Sequence, residues 1–394
     1  MNERVLISGA SIAGPAVAYW LARFGFRPTV VERAPALRAG GNGVDLRDQA
    51  LAVVERMGIR PAVLAAANDV QGMRFLNAAG RPVASADLKA IAAKYGATGV
   101  EVSRGALAEL LYQATKDNVD YIFDDSITAL EQDSAGVDVR FERGAERRFD
   151  LVIGADGTHS AVRRLAFGPE AEFLHYLGYY FAFTAADPTL AEPRWVNLYN
   201  EPGRSIALDR PGNRAGATVS FAFSRRDPLV YDHRDVDAQK RLLADAFVDV
   251  GWRGQELLAG ALADPDFYFD ALAQVRMPGW STGRVALAGD AAHCASPVAG
   301  AGAELALVGA YRLAGELAEA GGDHRGGFAG YERAHRPAVK RAQSNLFVGI
   351  TAPRTRAGIW LRNTTARLPL LSAMAGLENR LRPKTDPLPE YVPA

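Results

Sequence analysis

Residues 4–33 constrain the fold more tightly than any other stretch of this chain. Val5-Leu6-Ile7 is an apolar run of strand length, and Gly9-Ala10-Ser11-Ile12-Ala13-Gly14 follows it. Ala13, Val17, Trp20, Leu21 and Phe24 then recur at helical spacing. Pro28-Thr29-Val30-Val31-Glu32 reads as a second strand that ends in an acid. A strand, a glycine turn, a helix and a second strand closed by an acid form the βαβ dinucleotide fingerprint. Gly9 makes the tight turn, and the helix start at Ile12, Ala13 and Gly14 offers unpaired N–H groups to a pyrophosphate. Glu32 is placed to take ribose hydroxyls. The middle glycine of the pattern is replaced by Ser11, which is small enough for close approach and adds a hydroxyl.

A second constellation stands near the other end. Val285-Ala286-Leu287-Ala288 runs into Gly289-Asp290, and Pro297, Gly300, Ala301 and Gly302 follow before a helical pattern begins. A helix start aims free N–H groups outward. That suits a large flat cofactor that becomes anionic during its reaction.

Between these ends the pattern predicts interleaved domains rather than beads on a string. The 394 residues allow two or three domains, and 48% hydrophobic residues support a large core. Ser103 reads as the N-cap of a helix to Gln113, with Leu107, Leu110, Leu111 and Ala114 on one face. Tyr121–Phe123, Val137–Phe141 and Leu151–Ile153 read as strands, the last entering Gly154-Ala155-Asp156-Gly157. From 175 to about 275 the runs Tyr179–Phe183 and Thr218–Phe223 alternate as antiparallel strands do. The helix after Gly302 places Ala306, Ala310, Leu313 and Leu317 on one stripe. The expected division is a discontinuous cofactor domain (1–70, 98–174, 276–335), a substrate domain (71–97, 175–275) and a C-terminal helical segment (336–394).

The formal net charge is zero, so no global field favours nucleic acid. No apolar run is long enough to span a bilayer. Cys294 is the only cysteine and the chain opens directly into a strand, which together predict a cytoplasmic protein. The tail is basic, with Arg336, Lys340, Arg341, Arg354, Arg356, Arg362, Arg367, Arg380 and Arg382. The expected reading is a solvated face balanced by acids elsewhere; the alternative is an anionic surface or partner. The six histidines show no metal-ligand spacing, and no Ser-His-Asp triad is legible. His293 and Cys294 read as packed residues.

The three motifs in order (the Gly9–Gly14 turn with Glu32, Gly154–Gly157, and Gly289-Asp290 with Pro297) resemble those of the group A flavin-dependent aromatic monooxygenases, the para-hydroxybenzoate hydroxylase fold. The resemblance covers essentially the whole chain. Gly9–Pro15, Gly43-Val44-Asp45-Leu46 and Leu305–Ala310 look like the short branch that includes tetracycline-inactivating flavin monooxygenases. The implied fold is α/β, a Rossmann-like FAD-binding domain interleaved with an antiparallel-sheet substrate domain, with C-terminal helices.

By that resemblance Gly9, Ser11, Ile12, Ala13 and Gly14 wrap the FAD pyrophosphate, Glu32 binds the adenosine ribose and Arg33 lies at the adenine end. Arg104 contacts the ribityl or phosphate region, Asp156 and Gly157 serve both FAD and the nicotinamide donor, and Gly289 and Asp290 hold the ribityl chain. Pro297 lies beside the isoalloxazine, Gly300, Ala301 and Gly302 present N–H groups to its pyrimidine edge, and Asp45 and Arg47 contact the flavin. Pocket contacts are expected from Tyr180, Asn197, Leu208 and Thr218. Three positions depart from the pattern: Glu304 and Gly309 stand where Asn and Asp are frequent, and Thr218 stands where the tetracycline-inactivating enzymes carry a histidine.

The activity implied is hydroxylation of a planar aromatic or polycyclic natural product, with NADPH or NADH and O2, through a flavin C4a-hydroperoxide. No second dinucleotide fingerprint is present, so the donor is expected to bind transiently. The protein's own tasks are positioning, proton control and exclusion of water. Baeyer–Villiger or redox-neutral chemistry on the same fold, or a non-catalytic pigment- or drug-binding flavoprotein, are the alternatives. The halogenase Trp-x-Trp-x-Ile-Pro motif is absent. Monomer and homodimer are both compatible with the sequence.

Overall fold

The structure, a computed structural model, describes residues 2–38, 41–95, 99–344, 352–367 and 387–392. Its first sheet has six strands in the order Ser281–Thr282, Val285–Leu287, Leu151–Gly154, Arg4–Ser8, Arg27–Glu32 and Asp120–Phe123. All neighbours are parallel except the two-residue edge strand. The inner strands are short unbroken apolar runs because both of their faces are covered. Helix Ala13–Arg23 joins the first two strands and packs against the long helix Gly302–Glu319. That long helix is buried almost all round rather than on one stripe: Leu305, Leu307, Val308, Tyr311 and Ala314 are enclosed together with the expected Ala306, Ala310, Leu313 and Leu317.

The second sheet has seven strands in the order Tyr268–Val275, Leu174–Ala186, Ala217–Ser224, Arg204–Asp209, Trp195–Glu201, Gly72–Leu76 and Pro82–Asp87. Only the pairing of Trp195–Glu201 with Gly72–Leu76 is parallel. Residues 72–87 thus extend a sheet otherwise built from residues 174–275. One face of this sheet is sealed by helices Val236–Phe247 and Gly254–Ala263 over a core of Tyr180, Leu208, Phe221, Leu243, Phe247 and Leu258. Helix Arg356–Arg367 lies against the far edge of the sheet, where Ala366 meets Phe75, Ala84 and Leu198.

The sequence reading passed over strand Ile127–Gln132, which forms a three-stranded antiparallel sheet with Val137–Phe141 and Arg147–Phe149. Its Ile-Thr-Ala-Leu-Glu-Gln run is half exposed and lacks a clear period. Helix His324–Ser344 runs unbroken through the expected boundary at residue 335.

The basic tail is partly used inside the fold. Arg336 pairs with Glu332 and covers the Trp280 ring at 4.6 Å, and Arg354 and Arg362 lie over Tyr179 and Phe75. Arg380 and Arg382 lie outside the described residues, as does the Arg367 side chain.

Candidate active site

Two glycines shape the first turn by exclusion. Gly9 has φ +104°, and a Cβ there would lie 2.5 Å from the Ala155 carbonyl oxygen. A Cβ on Gly14 would lie 1.8 Å from the Gly9 oxygen. The turn therefore presses against the strand end at 155–156, and the helix start presses against the turn. Ile12 provides no side-chain cap and the first helical turn holds no acid, so its N–H groups face outward unpaired by side chains. Glu32 closes the mouth: its two carboxylate oxygens accept from Ala10 N at 2.8 Å and Ala34 N at 3.0 Å. Arg33 is exposed beside it.

Arg104 reaches this turn from elsewhere in the chain. Ser103 caps helix Arg104–Gln113 by accepting from Ala106 N at 3.2 Å, which fixes where the helix begins. The Arg104 Nε then donates to Ser11 Oγ at 3.2 Å. The serine in place of the middle glycine thus anchors a guanidinium beside the Gly9–Gly14 turn.

The second constellation closes on the first. Gly289 has φ +59° and ψ −144°, and a Cβ there would lie 2.8 Å from the Ala13 Cβ. Asp290 follows, and burial pushes its carboxyl above the usual carboxylate range while the charge of Arg104 opposes that rise. Gly300 is left-handed at φ +60°, and a Cβ on it would lie 3.2 Å from Asp45 Oδ2. Asp45 is itself paired with Arg47 at 2.9 Å. Ala301 begins helix Gly302–Glu319 without a side-chain cap, so a second helix N-terminus opens at this place, with Glu304 in its first turn.

Asp156, which the resemblance links to FAD and the nicotinamide donor, is engaged within the protein. Its carboxylate accepts from Ser160 Oγ at 2.5 Å, Ala161 N at 2.8 Å and Val162 N at 3.1 Å, and Ser8 Oγ lies at 3.4 Å. It holds the start of helix Ala161–Ala166 to the first strand, and Gly157 supplies the positive φ of +83° that turns the loop. Its position beside the Gly9 turn is retained, but the protein itself uses its oxygens.

The four expected pocket residues do not share one face. Tyr180 and Leu208 are sealed in the helix-covered core, and the Tyr180 hydroxyl accepts from Leu229 N at 2.6 Å. Asn197 is opposite Leu208 in register and therefore points the same way. Thr218, opposite Asp209 and Ala185, is on the other face. The correction for Tyr180, Asn197 and Leu208 follows from the period of two: a shift of one residue exchanges the faces. Phe181, Phe183, Ala207, Ser220, Ala222 and Tyr268 occupy the face that Thr218 shares, and all are half-buried. Val298, next to Pro297, and Phe181 both pack against the cluster of Tyr179, Leu272 and Ala352, of which Tyr179 and Leu272 are on this face. The sheet thus turns it toward the Pro297–Gly302 segment.

Sequence reasoning missed Tyr268, Asp270, His159 and Asp209. His159 lies between Glu170 Oε1 at 2.9 Å and Asp270 Oδ1 at 3.1 Å; both carboxylates overcome the effect of burial and raise its pKa to about 9. Burial and the neighbouring Glu101 raise the Asp209 carboxyl to about 6. Only the position of His159 in Asp156-Gly157-Thr158-His159 was a sequence signal, since its partners are remote in the chain. His293 is packed, as expected. Its Nε2 is 3.2 Å from the Tyr331 hydroxyl, Trp280 and His335 enclose it, and burial lowers its pKa to about 3. Cys294 is buried too, which raises its thiol.

These features fit FAD: two helix starts lack side-chain caps, and glycines stand where any Cβ would close the approach. The family described as FAD binding domain matches residues 2–250 and 265–345. The chain belongs to this family. It is a flavin-dependent monooxygenase with FAD as its cofactor. It is 38% identical over 334 residues to a flavin-dependent monooxygenase of Legionella longbeachae, which covers 84% of each chain. It is 42% identical over 342 residues to an uncharacterized protein of Mycobacterium tuberculosis, covering 86% of this chain and 92% of that one. Among solved structures it is similar to the tetracycline destructase Tet(51), with a TM-score of 0.85 at 32% identity over 99% of this chain and 100% of that one. No helix among the described residues is long and apolar enough to cross a membrane.

Proposed function

We propose that this flavin-dependent monooxygenase takes reducing equivalents from NADPH or NADH and hydroxylates a planar aromatic or polycyclic compound, of the aromatic polyketide or tetracycline kind. The observation that carries this reading is the half-buried sheet face of Phe181, Phe183, Ala207, Ser220 and Ala222, turned toward the Pro297–Gly302 segment. A flat apolar floor with scattered small polar groups suits a planar ring system. The 32% identity to a tetracycline destructase supports the substrate class.

Bound FAD supplies electron transfer from the donor and activation of O2. The chain's residues do the rest. The N–H groups at the start of helix Ala13–Arg23 and the Arg104 guanidinium take the pyrophosphate and its neighbourhood, and Glu32 and Arg33 take the adenosine end. Asp290 and Gly289 take the ribityl chain. The start of helix Gly302–Glu319, with Gly300 and Ala301, offers a positive dipole end to the edge where negative charge develops. Asp45 and Arg47 hold the opposite side of Gly300, and Pro297 and Val298 wall the ring from water. Asp156 and Gly157 keep the intervening loop in place. Residues 1–70, 98–174 and 276–335 form the cofactor unit in this reading, and the lone buried Cys294 fits a cytoplasmic setting.

The test is FAD-loaded protein mixed with NADPH, then NADH, and a panel of aromatic polyketides and tetracyclines. Ligand-accelerated flavin reduction with a product heavier by one oxygen atom is expected. Failure of both donors to reduce the flavin under every ligand would reject the reading and favour a pigment- or drug-binding flavoprotein.

A further inference from the structure

Four arginines gather where the strand Leu174–Ala186 loses its register. The ladder is irregular between Tyr176 and Tyr180, and Gly178 turns there at φ +85°. The Gly178 carbonyl accepts from Arg225 N at 3.0 Å and from the Arg354 guanidinium at 3.3 Å. The Tyr176 hydroxyl donates to the Arg225 carbonyl at 2.8 Å, and the charges of Arg225 and Arg354 both act on that hydroxyl. Arg226 is next in the chain. Arg356 opens helix Arg356–Arg367, just after Thr355, whose Oγ1 accepts from Gly358 N at 3.0 Å. All four arginines are exposed.

Their charge is left unbalanced. Among the described residues none of the four is ion-paired with an acid, the adjacent Asp227 included. The first turn of helix Arg356–Arg367 holds no acid either. The turn at Gly203 is tied to this place by its N–H, which donates to Pro353 O at 2.8 Å, but its acid Glu201 is taken by Arg204, as is Asp249. A helix start carries partial positive charge, so arginines beside it are repelled. An arriving anion relieves both repulsions, and guanidiniums take phosphate oxygens in pairs.

The position of this rim says which anion. Arg354 lies over the Tyr179 ring at 5.0 Å, and Tyr179 belongs to the cluster with Leu272 and Ala352 on which Val298 packs. One aromatic ring thus separates the guanidinium from the residue beside Pro297, where the isoalloxazine is proposed to lie. The dinucleotide turn at Gly9–Gly14 is given to FAD, and no second one is present. A nicotinamide donor needs its phosphates held elsewhere, within reach of the flavin ring and loosely enough to leave. Exposed, water-screened guanidiniums at this rim meet those needs.

We propose that Arg225, Arg226, Arg354 and Arg356 form the docking site for the phosphates of the nicotinamide donor. The inference rests on the donor and the flavin placement proposed above and locates the donor's anionic end.

The test compares two hydride donors, NADPH and 1-benzyl-1,4-dihydronicotinamide, which carries the same reacting ring and no phosphate. Anaerobic flavin reduction is followed in the FAD-loaded full chain at rising donor concentration. The quantity read is the ratio of the two second-order rate constants within one protein, which cancels any general damage to the flavin site. In Arg225→Gln combined with Arg356→Gln the ratio is expected to fall about ten-fold. Arg354 is kept, because its guanidinium also holds Gly178 and Tyr179. Added salt is expected to slow reduction of the wild type by NADPH and not by the phosphate-free donor.

An unchanged ratio overturns the inference and leaves the monooxygenase reading standing, since NADPH still reduces the flavin. So does a double variant that binds the arene more weakly at an unchanged ratio, which would give the rim to the substrate. If neither donor reduces the wild-type flavin, the proposed function fails, and calorimetric titration with NADP+ decides the rim on its own. Weaker binding in the double variant then keeps the phosphate site, and equal or absent binding removes it.

Discussion

Gly289 stands directly against Ala13, so that a Cβ on the first would lie 2.8 Å from the Cβ of the second. This contact joins the two glycine motifs from opposite ends of the chain into one site. The Gly289 backbone, at φ +59° and ψ −144°, is in a region essentially reserved for glycine. Gly289→Ala combines that strain, of order 1–3 kcal/mol, with a clash at the helix start proposed above to take the FAD pyrophosphate. The variant is expected to lose most of its flavin on gel filtration, read as the flavin-to-protein absorbance ratio. A fully loaded variant would contradict the closeness of the two motifs.

Leu208 is fully buried beneath the helices, away from the proposed substrate face. Leu208→Ala is expected to cost about 2–5 kcal/mol of stability while leaving KM for an accepted arene unchanged. A raised KM without a change in urea midpoint would return Leu208 to the pocket.

The segment 387–392 is strapped over the long helix by Tyr391, whose hydroxyl contacts Glu316 at 2.9 Å and whose ring lies beside Tyr311. A Cβ on Gly315 would come within 2.0 Å of that ring. Gly315→Ala is expected to displace Tyr391 and cost roughly 1–3 kcal/mol by overpacking. Thermal unfolding and protease cleavage near the C-terminus measure the two effects, and an unchanged Tm with a protected terminus would refute the strap.

His293 and His335 are buried together with Trp280 and Tyr331, and burial lowers both, His293 to about 3. Lowered folded values mean that the unfolded chain binds more protons below the ordinary value of 6.5. Their contribution is complete above that pH and is lost as pH falls below it, for His293 down to about 3, at about 1.4 kcal/mol per pH unit for each neutral histidine. Urea titrations across this range should show a shallower acid slope in His293→Gln than in wild type. Equal slopes would refute the neutral buried histidine.

His159 has the opposite sign. Glu170 and Asp270 hold it protonated to about pH 9, with His233 stacked on it and Arg163 paired to Glu170. Its contribution is complete below the ordinary value of 6.5 and disappears as pH rises through about 9. Wild type is expected to lose Tm between neutral pH and pH 10 faster than His159→Gln, and parallel curves would contradict the pairing.

The βαβ turn, the Gly289-Asp290 turn and the cap at Ser103 were legible in the sequence because each is local. Apolar period, glycine where a Cβ cannot fit, and a hydroxyl before a helix are properties of neighbouring residues. From them the family, the α/β class and FAD as the cofactor could be read. Which face each strand of the second sheet turns toward the Pro297–Gly302 segment was not legible. Tyr180 and Phe181 are both aromatic, and both faces are apolar enough to pack, so alternation alone does not say which is inside. Tertiary structure decided it, by sealing Tyr180 under two helices and leaving Phe181 on the opposite face, against the Tyr179, Leu272 and Ala352 cluster on which Val298 also packs. It also decided the His159–Asp270 pair, 111 residues apart, and set the Asp156 carboxylate on the first N–H groups of helix Ala161–Ala166. Such contacts depend on which elements the packed chain brings together, and no spacing along the sequence encodes them.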